Sequence, residues 1–149
     1  MNDAQRLTRL LRNELMLQTR HCQLLEAQQR ALTACDRTRF MSLQSDYTAL
    51  VGRLKAQAET RSANGETIAM LLDALPEEQR ATPFALRDTL AETLERARNL
   101  CKRSEMLISN ELAYMAFTLD LFVEAGRRAD VSYGGNGRLG RRRLLDRRA

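Results

Sequence analysis

The one histidine of the chain, His21, stands beside Cys22, and further cysteines follow at Cys35 and Cys101. These residue types bind soft metals or act as nucleophiles, but their spacing argues against both roles. Adjacent residues on a helix point in different directions, so His21 and Cys22 make a poor metal pair, and no CxxC spacing brings further donors. Cysteines in odd number without ligand spacing suit a reducing compartment better than a disulfide framework. The carboxylates Glu92, Glu95, Glu105 and Glu111 mostly alternate with Arg and Lys along helical faces, the pattern of a solvated surface. No GxxxxGK[ST], HExxH or GxSxG motif occurs. The run Gly134-Gly135-Asn136-Gly137 lacks the strand-then-helix setting of a phosphate loop. No catalytic residue, metal or cofactor is expected, and the chain reads as a binding protein.

The elements that would carry such binding are helices. The stretch from Thr82 to Gly137 organises the rest. Thr82 is placed to cap a helix and Pro83 to occupy its first position, where a missing N–H costs nothing. No Pro or Gly follows until Gly126. Leu86, Leu90, Leu94, Ala97, Cys101, Ile108, Leu112, Met115, Leu119 and Phe122 recur at helical spacing, which predicts a helix over about 83–126. A rod that long must have its stripe covered by the rest of the chain. Its second half carries a further series, Leu100, Leu107, Tyr114 and Leu121, widened by Met106, Phe117 and Val123. A helix apolar nearly all round is either fully buried or meets a helix from another protein.

Two more helical segments precede it. Over about 4–34, Leu7, Leu11, Leu15, Cys22, Leu25 and Leu32 form one face, with Leu10, Leu17, Leu24 and Ala31 beside it. Asp36 caps the next, where Phe40, Leu43, Tyr47, Leu50, Leu54 and Ala58 keep helical phase. That phase continues through Gly65 to Ile68, Leu72 and Leu75, so one helix over 37–75, kinked at Gly65, is expected despite the turn signal Asn64-Gly65. Leu75-Pro76 ends it. The fold class is all-α: an elongated antiparallel three-helix bundle with coiled-coil-like packing. A helical domain is expected over 1–128 and a flexible Gly/Arg-rich tail over 129–149.

With 44% hydrophobic and 29% charged residues, the composition suits a soluble helical protein. The formal net charge of +5 belongs to residues 138–149, which hold six Arg and one Asp; the remaining 18 basic and 18 acidic residues cancel. A nucleic-acid role would therefore rest on that tail alone, where no aromatics interleave with the arginines. No apolar run near Met1 resembles a secretory leader. The run Leu112–Val123 contains Asp120 and is short for a membrane span, so no membrane insertion and a cytoplasmic location are expected.

One arrangement is more specific: a long amphipathic helix, a short linker, then Tyr133-Gly134-Gly135-Asn136-Gly137. Together with LLEAQQRALTACDRTRFMSL (24–43) and MLISNELAYMAFTLDLF (106–122), it resembles the FlgN family of flagellar type III export chaperones. The family often carries asparagines ahead of the apolar stretch; here Lys102, Arg103 and Ser104 stand there and Asn110 comes later. The resemblance implies that the chain binds the C-terminal helical region of the hook–filament junction proteins FlgK and FlgL. It also implies delivery of these clients, unpolymerised, to the export gate protein FlhA. On this reading Leu107, Ile108, Tyr114, Met115, Phe117, Leu121 and Phe122 contact the client by helix-in-groove pairing. Tyr133, with Gly134 and Gly137, maps onto the family's gate-docking segment. A coiled-coil adaptor that pairs with itself is the competing reading, and a homodimer of the free protein is compatible with either.

Overall fold

The computed structural model describes residues 2–65 and 67–132, with no side-chain detail for 130–132. The described residues are mostly helical, with no strand among them. Helix α1 spans Asp3–Thr33, α2 spans Arg37–Ala63, α3 spans Ile68–Asp73 and α4 spans Ala81–Ser132, with a 3-10 turn at Glu77–Gln79 before α4. Contacts divide the chain into a unit of Met1–Leu107 and a second that begins at Ile108.

In the first unit α1 is the common partner. Asn2 caps it through a reciprocal box: its side-chain oxygen accepts from the Gln5 N–H at 2.8 Å, and the Gln5 side chain accepts from the Asn2 N–H at 3.2 Å. One end of α1 supplies Leu7 and Leu11, which pack with Leu72 and Leu75 and with Leu90 of α4. Farther along, Leu17, Leu24 and Ala31, spaced by sevens, pack against Leu43 and Leu50 of α2. Leu11 is fully buried.

The turn between α1 and α2 is tight because one residue serves both helices. Cys35 adopts φ 55°, the left-handed conformation normally given to glycine. Its N–H donates to the Leu32 carbonyl at 3.1 Å, and the Asp36 N–H donates to the Ala31 carbonyl at 2.9 Å. Asp36 then caps α2 by accepting from the Arg39 N–H at 3.0 Å.

The continuous helix expected over 37–75 is in fact two. Gly65 takes φ 65° and its N–H turns back to the Ser62 carbonyl, which closes α2. Thr67 is extended, and its hydroxyl accepts from the Met70 N–H at 3.2 Å to start α3. The apolar phase survives this break because Leu54 and Ile68 both pack toward α1, each in its own cluster. The Asn64-Gly65 turn signal therefore outranks the periodicity.

Helix α4 is longer than expected at both ends. It opens at Ala81, where the Arg80 carbonyl accepts the Phe84 N–H at 2.9 Å, rather than at a Thr82 cap. Pro83 is fully buried in the first turn, where its missing N–H leaves no bond unmade. The Arg80 side chain closes α3 by donating to the carbonyls of Leu75 and Asp73. At the other end the helix passes through Gly126 to Ser132, so residues 129–132, expected in the tail, are helical. A Cβ at Gly126 would meet nothing within 4 Å, so no packing demand stops the helix there.

Candidate functional site

The same helix is covered in its first half and bare in its second. Leu90 and Ala97 are buried, and Leu100, Cys101 and Leu107 are partly buried. From Ile108 onward no apolar side chain up to Phe122 is buried: Phe122 is 71% exposed, Leu119 63% and Phe117 60%. The stripe is expected to be covered by the rest of the chain; among the described residues its buried positions end before residue 107.

At about 100° per residue the apolar residues from the partly buried Leu107 to the exposed Phe122 fall into two stripes. Ile108, Leu112, Met115, Leu119 and Phe122 form one. Leu107, Tyr114, Phe117 and Leu121 form the other. Glu111 and Thr118 lie in the seam on one side, and Ser109, Asp120 and Glu124 in the seam opposite. Of the residues singled out from sequence, Ile108, Met115 and Phe122 thus share one stripe and the remaining four share the second. Leu112 and Leu119 lie outside that set, although they continue the series of Ile108 and Met115 and are more than half exposed. Their spacing was visible; what it could not tell was whether the chain's own helices covered them.

An 18-residue window of α4 reaches a mean hydropathy of 1.3, which satisfies the length and composition of a membrane span. The carboxylates Glu111 and Asp120, in opposite seams, would both be costly at bilayer depth.

His21, Cys22 and Cys101 of the first unit are tied into packing, whereas Cys35 is exposed. The His21 ring lies 5.4 Å from that of Tyr47, with Nε2 3.5 Å from the phenol oxygen and Nδ1 3.4 Å from Gln18 Oε1. Burial lowers the His21 pKa and raises those of Tyr47, Cys22 and Cys101. Cys22 lies with its Sγ 3.7 Å from the Thr93 carbonyl. Both raised thiols are held in the unreactive protonated form at neutral pH. Among the described residues no group of three or more His, Cys, Asp or Glu is placed to hold a metal ion. Tyr133, Gly134 and Gly137 lie outside the described residues.

The geometry therefore defines an all-α protein that presents a wound helix with apolar faces on two sides. The family model described as FlgN protein matches residues 1–141, and the chain belongs to this family of flagellar export chaperones. No curated protein and no solved structure matches the chain.

Proposed function

We propose that this export chaperone holds the C-terminal helical region of the hook–filament junction proteins FlgK and FlgL on α4 between Leu107 and Phe122, keeps them unpolymerised in the cytoplasm, and delivers them to FlhA. The observation that carries this reading is the exposure of both apolar stripes along one preformed helix. A client segment that later polymerises through apolar helices needs cover beforehand, and an amphipathic helix laid against either stripe supplies it. Methionine at 115 suits such a surface, because its unbranched side chain adapts to different neighbours. Tyr133, followed by Gly134 and Gly135, is the residue we assign to gate docking.

The test is a titration of the full chain with the C-terminal region of FlgK or FlgL. Binding at a one-to-one ratio that Phe117→Gln or Phe122→Gln weakens supports the reading. A tight dimer indifferent to either client, shown by sedimentation, would replace it with self-pairing through the same stripes.

A further inference from the structure

We propose that in the client-free protein the Arg-rich segment 138–149 lies back along the exposed apolar face of α4 between Glu111 and Glu124, and that a client must displace it. The second half of this statement rests on the client-binding reading above; the first does not.

Charge is the first argument. Between Arg103 and Arg127 the chain has four acidic residues, Glu105, Glu111, Asp120 and Glu124, and no Lys or Arg. Glu124 is met by Arg127 at 3.8 Å and Arg128 at 3.7 Å on its own helix. Glu111 and Asp120 form no ion pair among the described residues. The only dense positive charge in the sequence is 138–149, with six Arg against one Asp.

Length is the second. Five residues, Tyr133 to Gly137, separate the end of α4 from Arg138, and three of them are glycine. That is enough chain, at roughly 3.4 Å per residue, to reverse direction. Extended back from Ser132, Arg141–Arg143 would fall roughly 10–17 Å along the helix and Arg147–Arg148 roughly 30–33 Å. At ~1.5 Å per helical residue these distances reach Asp120 and Glu124 in the first case and Glu111 in the second. Leu144 and Leu145 then come level with Phe117, whose stripe lies between the seam of Asp120 and Glu124 and the seam of Glu111. A segment that crosses this stripe obliquely, from the first seam to the second, would set arginines beside carboxylates at both edges and leucines on the apolar residues between them. The family match ends at residue 141, within this segment.

Three proteins test it: the full chain, a chain ending at Gly137, and the full chain with Glu111→Gln and Asp120→Asn. The uncharged dye Nile red reports accessible apolar surface without responding to the arginines directly. At low salt both altered proteins should bind the dye severalfold more than the full chain, with helicity unchanged. At about 0.5 M salt, where exposed charges are screened beyond a few Å, the difference should vanish. Affinity for the junction-protein segment should be on the order of fivefold tighter after truncation, since the competent state is no longer partly occupied. Equal dye binding by all three proteins at low salt overturns the proposal. A dye signal from the full chain that rises on dilution also overturns it, in favour of cover by a second copy's tail. Dye unmasking without any client binding upholds the cover and removes the client reading instead.

Discussion

The side-chain amide of Gln29 donates to the Ser104 hydroxyl at 2.9 Å and to the Leu100 carbonyl at 2.8 Å. Gln29 is itself buried, and it ties the C-terminal part of α1 to α4 less than one turn ahead of Leu107, close to where cover gives way to exposure. Replacing it by Ala removes both bonds and a buried side chain. Gln29→Ala should cost about 1–3 kcal/mol in denaturant unfolding, because the freed polar groups lose a partner inside the protein. Client affinity measured on the folded variant should stay within twofold.

The two halves of α4 should answer substitution in opposite ways. Phe117→Gln and Phe122→Gln change exposed side chains and should shift unfolding by no more than about 0.5 kcal/mol. Either should weaken junction-protein binding by at least about 2 kcal/mol if it is a hot spot. Leu11→Ala, at a fully buried position, should cost about 2–5 kcal/mol of stability. Phenylalanine variants that unfold the protein would mean that this part of α4 is ordinary core.

Two turn positions carry opposite backbone demands. Cys35 holds φ 55° with a side chain, and glycine would relieve that conformation. Part of the gain is offset by the greater freedom of glycine in the unfolded chain. Cys35→Gly should therefore raise stability by about 0.5 kcal/mol. Gly65→Ala should lower it by about 1 kcal/mol through its φ of 65°, although a Cβ there meets nothing within 4 Å. A neutral Gly65→Ala would indicate that α2 and α3 join into one helix in solution.

Burial lowers the His21 pKa from its ordinary value of about 6.5, so the unfolded chain binds this proton more readily than the native one. Its contribution to stability is then full above about pH 6.5 and is lost as the pH falls through that value toward the lower native pKa. Unfolding followed from pH 7.5 to 5 should show the loss in the wild-type chain. His21→Gln should flatten that part of the profile.

The α1–α2 corner was legible because its cause is local: Asp36 is a capping residue followed by a helical pattern. The long last helix was legible for the same reason, since nothing between Pro83 and Gly126 interrupts it. The break at Gly65 is hidden in the sequence because Leu54 and Ile68 keep phase for a tertiary reason, their common neighbour α1. The exposure of Leu112 and Leu119 is illegible for a different reason. Periodicity reports that a face is apolar, and the same spacing serves Leu90, which is buried, and Leu119, which is not. Only the arrangement of the other helices separates the two.

The covered stretch of α4 bears on how the bare stretch forms. A free helix must first fix several residues for one hydrogen bond, an unfavourable start with a nucleation constant of ~10⁻³. Here Ala81–Leu107 is already wound in contact with α1, so every turn from Ile108 onward grows by propagation alone. The exposed segment should fray from Ser132 inward, with amide opening free energies that rise toward Leu107. A client helix lying along it would halt that fraying, so occupancy should register as slower exchange at the far end of α4, many turns from the buried core.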